Sequence, residues 1–381
     1  MNVIYLDHAA TSPTHPQVVE KMMPIYTDYY GNPSSIHSFG REARQLVDQA
    51  RTTLAKSIGS RFNEIIFTSG GTEADNLALV GVSDALKERG KHIITTAIEH
   101  HAVLHTCQKL ERDGFEVTYL PVDEAGQVSL DDVKKALRSD TILVSIMFGN
   151  NEVGTIQPIK EIGDILRDHP AYLHTDAVQA YGAIDIDVKE LGIDLLSVSG
   201  HKINGPKGIG FLYVKEDILL TPHLYGGEQE RKRRAGTENV PNIVGLAEAV
   251  TIARDTREEK RMLYLQMKEK LKNILIEEGI QFYQNGLLEQ SLPHVLNLSF
   301  PGTDVESMLV NLDMAGIAVS SGSACTAGSI EPSHVLVAMF GKQSDRLRNS
   351  IRFSFGFNNT IDEIEWTARE TAKIIHRLTS I

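Results

Sequence analysis

The chain has 381 residues, 41% of them hydrophobic and 23% charged, and a formal charge of −12. This is ordinary globular composition, and at roughly 150 residues per domain the length predicts two or three domains. The acidic balance argues against a dedicated nucleic-acid binder, and the two cysteines, Cys107 and Cys325, exclude a disulfide scaffold. The most apolar stretch, Thr141 to Phe148, falls far short of the roughly 18 residues a membrane span needs. The opening Met-Asn-Val-Ile-Tyr-Leu-Asp7-His8 lacks a basic n-region and an apolar h-region, so a cytoplasmic protein without a secretory signal is expected.

Taken in chain order, Glu64 to Thr68 reads as a strand, followed by Gly70-Gly71 and a helical pattern with Ala78, Val82, Ala85 and Leu86 on one face. His92 to Thr96 reads as a strand. Ala102 to Gly114 reads as a helix carrying Val103, Leu104, Cys107 and Leu110 on one stripe and stopped by Gly114. Glu116 to Leu120, Thr141 to Met147, Tyr172 to His174, Leu195 to Ser199 and Gly210 to Val214 complete the strands. The alternation predicts an α/β fold with a mostly parallel sheet sandwiched by helices. Beyond Asn239 the character changes. Residues 243–280 read as one long charged helix, followed by strands at Val295 to Phe300, Ile317 to Ser320 and Ile351 to Phe355, and a terminal helix from Asp362 to Arg377. The expected division is a large domain over 14–258 and a smaller α+β domain formed by 1–13 and 259–381.

Ligands of an open α/β sheet sit beyond the carboxyl ends of its strands, and several polar motifs fall there. Ser69-Gly-Gly-Thr72 joins a strand to a helix start, where free N–H groups and the helix dipole favour a phosphate, although a tight turn with a Thr cap reads equally well. Glu99-His100-His101, His174-Thr-Asp176-Ala-Val-Gln179 and Ser199-Gly-His201-Lys202 each follow a strand. A lysine, an aspartate, a histidine and a phosphate-type loop at one sheet end form the set that pyridoxal 5′-phosphate (PLP) requires. The lysine tethers it, the carboxylate keeps the pyridine nitrogen protonated, and the loop anchors the phosphate. By themselves these residues leave the cofactor open.

The motifs together resemble those of the cysteine desulfurases of the NifS/IscS type, within the aminotransferase class V group of fold-type-I PLP enzymes. The resemblance runs from Tyr5-Leu-Asp-His-Ala-Ala-Thr11 to Ser350-Ile-Arg-Phe-Ser354. It includes Gly31-Asn-Pro-Ser-Ser-Ile-His37, Ser69-Gly-Gly-Thr-Glu-Ala-Asp-Asn76, Asn150-Asn-Glu-Val-Gly154, Arg234-Ala-Gly-Thr237 and Ser320-Ser-Gly-Ser-Ala-Cys325. It implies that Lys202 tethers PLP and moves protons at the substrate Cα; Lys207 is a rival that lacks the preceding Ser-Gly-His. It implies that Asp176 pairs with the pyridinium, Gln179 reaches the ring hydroxyl, and His100 stacks on the ring and serves as acid or base. Gly71, Thr72, Ser199 and His201 would hold the phosphate. Thr237 would reach the phosphate of a neighbouring subunit, which implies a homodimer. Asn151 lies with the cofactor-binding residues, and with Arg352 it would grip the substrate carboxylate, for which a guanidinium fork is suited.

The implied activity converts L-cysteine to L-alanine and leaves the sulfur as a persulfide on Cys325. Small polar neighbours surround Cys325, which reads either as an unreactive surface thiol or as a mobile nucleophile; Cys107 sits on an apolar stripe and reads as a core residue. The alternatives are a selenocysteine lyase or an aminotransferase of the same fold. His101 and His105 share a helix face in a zinc-capable spacing, but there is no HExxH signature and no metal is expected. Arg231-Lys-Arg-Arg234 reads as a dimer contact in preference to a direct tRNA-binding patch. The resemblance also implies a sulfur-acceptor protein, either a tRNA thiolase or an iron–sulfur scaffold. The short tail ending at Ile381 points toward tRNA thiolation.

Overall fold

The computed structural model describes residues 3–287, 289–322, 325–326, 329–330 and 332–380, the pairs 325–326 and 329–330 by backbone alone. The first part of the chain contains β1 (Ile4–Tyr5), α1 (Pro16–Thr27), α2 (Ser38–Ser57), β2 (Ile65–Thr68), α3 (Gly71–Leu86), β3 (His92–Thr96), α4 (His101–Arg112), β4 (Glu116–Leu120) and α5 (Leu130–Ala136). Then come β5 (Thr141–Ser145), α6 (Ile159–Leu166), β6 (Tyr172–Asp176), β7 (Leu195–Ser199), β8 (Gly210–Val214) and α7 (Val240–Asp255). The remainder contains α8 (Arg257–Glu277), β9 (Tyr283–Asn285), β10 (Val295–Ser299), α9 (Val305–Met314), β11 (Ile317–Ala318), β12 (Cys325–Thr326), β13 (Ser329–Ile330), α10 (His334–Phe340), β14 (Ser350–Ser354) and α11 (Ile361–Thr379).

A seven-stranded sheet in the order β2-β8-β7-β6-β5-β3-β4 forms the centre. The pairings among β7, β6, β5, β3 and β4 are parallel, and β8 alone runs antiparallel to both its neighbours. β2 therefore points the same way as β7, and the carboxyl ends of β2, β3, β6 and β7 open on one edge. Side chains alternate across the pleat. Ile65, Phe67, Ile94, Leu196 and Phe211 pack into one apolar cluster with α1, α2 and α7. Ile66, Ile93, Leu195 and Leu212 pack into another with α3 and α4. A third cluster joins Ile4 and Leu6 to α8, β10, α9, β14 and α11. The amino-terminal strand β1 pairs with β11, more than 300 residues on.

The long helix expected over 243–280 is two helices. Thr256 adopts φ −108° and ψ 4° between them, and its hydroxyl donates back to the Ile252 carbonyl at 2.7 Å. A β-branched residue whose own hydroxyl competes for the carbonyl row is a natural place for a helix to break. α7 packs into the sheet-side cluster, whereas Tyr264, Met267 and Leu271 of α8 belong to the β1-containing one.

The loop leading to Thr237 is anchored by a buried ion pair. Glu230, at φ 48°, accepts from both terminal nitrogens of Arg51 at 2.6 and 2.7 Å and from the Phe67 N–H at 3.1 Å. The Arg51 guanidinium also lies over the Phe67 ring, 4.6 Å from its centroid. Removing one partner leaves an uncompensated buried charge. Glu230→Ala should therefore destabilise the protein by about 3–5 kcal/mol, read from the denaturant midpoint, and Glu230→Gln by less because it keeps a hydrogen-bond acceptor.

Candidate active site

At the open edge of the sheet lies a cavity of about 380 Å³, within the size range of small-molecule sites. Gly71, Thr72, His100, Asn151, Asp176, Gln179, Ser199, His201, Lys202 and Arg352 all line it. Two of the sequence-derived candidates are not among these lining residues. Thr237 is exposed and does not line the cavity of its own chain. Cys325 lies in β12, and its side chain falls outside the described residues.

Lys202 sits on a single turn after β7, and its Nζ donates to the carbonyls of Ala9 and Ala10, the latter at 2.7 Å. The turn is held by Asn204 at φ 62°, whose backbone N–H reaches the Ser12 hydroxyl at 3.0 Å, while Ser12 in turn bonds the His201 carbonyl at 2.7 Å. Burial and the Arg352 charge pull the Lys202 ammonium down to about 8, against the opposing pull of Asp176 and Asp7.

Asp176 ends β6, and its carboxylate accepts the Val178 N–H at 2.9 Å. Behind it lies Asp75 of α3, buried, with Oδ1 lacking a hydrogen-bond partner among the described residues. Burial raises both carboxyls, and the Asp176 charge raises Asp75 further. His174 lies 3.6 Å from Asp75; its ring is held by Ser145 and Ser197, and burial drives it to about 3, so it offers no cation to this pair. The ligand atoms of Asp75, His100 and Asp176 all lie within 4.8 Å of one another.

α3 begins beside Ser199. Its cap is Gly70 at φ 150°, a conformation that favours glycine and supplies no side-chain acceptor to the first-turn N–H groups. A β-carbon on Gly71 would approach Val178 to 2.7 Å, so glycine also permits the close packing. His201 is driven to about 4 by burial and by Lys202 and Lys207, which makes it a neutral ring near neutral pH. Arg352, on β14, donates to Asp7 at 2.8 Å and to the Asn151 carbonyl at 2.9 Å; its buried Nε has no partner among the described residues. The Gln179 amide donates to the Ala9 carbonyl at 2.8 Å.

The sequence reading missed four groups: Asp7, Glu99, Glu152 and Asp75. Asp7 holds Arg352. Glu99 accepts from the Thr96 hydroxyl at 2.6 Å and the Met147 N–H at 3.0 Å, and burial pushes it up to about 8. Glu152, pushed up to about 7 by burial, bonds the Ser333 hydroxyl. Asp75 carries a signal that periodicity could have found, since Gly71, Ala74, Asp75 and Ala78 form a buried stripe on α3. The Arg231–Arg234 run is largely spent within the chain: Arg231 and Arg233 bond Asn63, and Arg234 grips Glu73 at 2.8 and 3.2 Å.

The depressed Lys202 gives a direct test in cofactor-free protein. Only the neutral amine adds to an aldehyde, so reductive labelling of Lys202 should rise as pH passes about 8 and then level off, as read by peptide mass spectrometry. Arg352→Gln removes a neighbouring positive charge, and the midpoint should move to higher pH.

The aminotransferase class-V profile matches residues 4–366. The protein named "Putative cysteine desulfurase IscS 1" of Bacillus subtilis (strain 168) is 63% identical over 379 residues, covering 100% of both chains. "Cysteine desulfurase IscS" of Methanosarcina thermophila is 49% identical over 375 residues, covering 98% of this chain and 92% of its own. Among solved structures, one titled "NIFS-LIKE PROTEIN" superposes with a TM-score of 0.92 at 38% identity, covering 98% of this chain and 100% of the other.

Proposed function

The chain belongs to the aminotransferase class-V family, on its cysteine desulfurase branch, and from that premise we propose how its residues convert L-cysteine to L-alanine with PLP as cofactor. One observation carries the reading. A half-buried lysine whose ammonium is pulled down to about 8, a buried aspartate pair, a glycine-capped helix start and a guanidinium all line a single cavity.

The residues fit PLP. Asp176 feels the Lys202 charge, but among the described residues neither Asp75 nor Asp176 makes an ion pair with a lysine or arginine, and a protonated ring nitrogen set against Asp176 would supply a direct partner. The start of α3 at Gly71 and Thr72, with Ser199 and His201, would receive a phosphate through backbone N–H groups, a hydroxyl and a neutral imidazole. Lys202 would carry the covalent tether, His100 would lie against the ring, and Gln179 retains a second amide N–H for the ring hydroxyl. Bound there, PLP supplies an electron sink for charge that develops at the substrate Cα.

The chain's own residues do the rest. Arg352, already aligned by Asp7 and Asn151, takes the substrate carboxylate. Lys202 takes the Cα proton as a neutral amine and returns protons as an ammonium, roles that suit a group titrating near 8. His100 stands at the N-cap of α4 with Nδ1 accepting the Ala102 N–H at 3.1 Å, which leaves Nε2 for acid or base work. The Cys325 thiolate attacks the substrate sulfur. A sulfur–sulfur bond forms as the Cβ–S bond breaks, its electron pair leaves with Cβ, and that carbon takes a proton to become the alanine methyl. Cys107 cannot substitute, because it is fully buried and burial drives its thiol far above the usual range.

Residues 14–258 form the large domain in this reading, and 1–13 with 259–381 the small one. Thr237, exposed on the single chain, would reach the phosphate of a second copy in a homodimer. The persulfide would pass to an acceptor protein, a tRNA thiolase or an iron–sulfur scaffold. A cytoplasmic setting would keep Cys325 reduced. No helix among the described residues is long and apolar enough to cross a membrane.

Cys325→Ala should keep the visible absorbance of bound PLP and lose both persulfide formation and alanine release, whereas Cys107→Ala should keep both. Turnover at the parental rate in Cys325→Ala would exclude the persulfide mechanism. Alanine formation from selenocysteine by that variant would favour a selenocysteine lyase, and dependence on a keto acid an aminotransferase. Arg352→Lys should lower kcat/KM for cysteine by roughly 10–150-fold, the range expected for losing a charge-assisted bidentate contact.

A further inference from the structure

Beside the cofactor cavity the histidines gather. His101 and His105 stand one turn apart on α4, both exposed, with ring centroids 4.9 Å apart and planes inclined by 27°. His334, the first residue of α10, brings a third ring to 4.8 Å from that of His101. Its Nε2 lies 2.9 Å from the Glu99 carbonyl. A carbonyl only accepts, so Nε2 carries the proton and Nδ1 is the ring's lone-pair nitrogen. A ring fixed by an N–H to a backbone carbonyl, with its other nitrogen left as a donor to a cation, is the arrangement that metal-bound histidines adopt.

The other two rings supply the complementary half. Histidines four residues apart on a helix put two imidazoles on one face, the spacing used for zinc in helical sites. His101 and His105 line a surface depression of about 720 Å³ beside Asp84; the three rings do not bring their nitrogens within 4.8 Å of one another as they stand, so ligation requires the exposed His101 and His105 side chains to turn toward the His334 ring, which needs no core to repack. The His101 ring stands against both of the others, and imidazoles so placed oppose one another's protonation. A divalent ion in place of those protons converts that repulsion into shared ligation.

We propose that His101, His105 and His334 form a site for one divalent transition-metal ion of the zinc class, with three imidazole nitrogens as ligands and a fourth position open to solvent. The site ties α4 to α10, the helix that follows the segment carrying Cys325. The assignment is independent of the desulfurase reading, because binding is measured without turnover.

The test uses tag-free, PLP-loaded protein in a Cys325→Ser background, which removes the competing thiolate. Co²⁺ is the probe, since its visible d–d bands report coordination. One Co²⁺ should bind per chain, with intense bands of a four-coordinate site, and Zn²⁺ should displace it. His334→Ala and the double variant His101→Ala/His105→Ala should each weaken binding by about tenfold or more. His376→Ala, a surface control at the far end of the chain, should leave it unchanged. Retained absorbance of bound PLP and an unchanged circular dichroism spectrum establish that each variant is folded. Absence of d–d bands at millimolar Co²⁺ would overturn the proposal, as would bands that survive either the His334 variant or the double variant.

Discussion

An ammonium, a guanidinium and two carboxylates share one largely buried cavity, and the surrounding fold is organised to make that bearable. Each such charge would cost several kcal/mol if left unpaired in a dry interior. The protein answers mainly with backbone dipoles and one carboxylate. Carbonyls of Ala9 and Ala10 face Lys202, the Asn151 carbonyl and Asp7 face Arg352, and the Val178 N–H faces Asp176. Burial also pushes Lys202 down and Asp176 up, so that both drift toward their neutral forms. A site in that condition gains most when a ligand brings compensating charge of its own.

The partners come from distant parts of the chain, which makes the cavity a property of the assembled fold. The segment from Asp7 to Ser12 is the clasp. β1 pairs with β11, the Ala9 N–H reaches Ser354 at 2.9 Å, and Ser12 grips the turn that carries Lys202. Glu152 does comparable work for the segment that contains Cys325. Its carboxylate bonds Ser333 on one flank and lies so close to Gly322 on the other that a β-carbon there would come within 1.9 Å. One buried carboxylate thus meets both ends of that stretch.

Much of this was legible in the sequence, because strand ends in an open α/β sheet advertise themselves. Asp176, Ser199 and Lys202 follow apolar runs too short for helices, and the glycines at 70 and 71 sit where a strand must become a helix. The rest was hidden for physical reasons. The Arg51–Glu230 pair joins residues 179 apart, and neither position differs in pattern from a solvated charge. The break at Thr256 depends on a hydroxyl competing with a helical N–H, a contest that periodicity does not record. Asp7 and Glu152 lie inside recognisable motifs, yet their roles follow from what faces them across the cleft. The basic run at Arg231–Arg234 is the converse case: a conspicuous pattern whose guanidinium groups are mostly occupied within the chain.

The proposed function makes Arg352 a receiving residue, and its hydrogen bonding supports that role. A guanidinium that merely braced β14 would have its donors saturated, since a buried unsatisfied N–H is costly. Here Asp7 and Asn151 take one bond each from the two terminal nitrogens, and the buried Nε is left without a partner among the described residues. The two bonds fix the plane of the fork, so little orientational entropy remains to be lost when an anion arrives. Nε is sealed from solvent, but each terminal nitrogen keeps a second N–H on a side chain that lines the cavity, and a hydrogen-bond acceptor there would realise the remaining gain. A negatively charged acceptor gains most, because it also offsets the guanidinium charge in a poorly hydrated cavity. In the proposed function, a preference for an amino-acid carboxylate would thus be set before any substrate binds, by donors that the protein leaves unused.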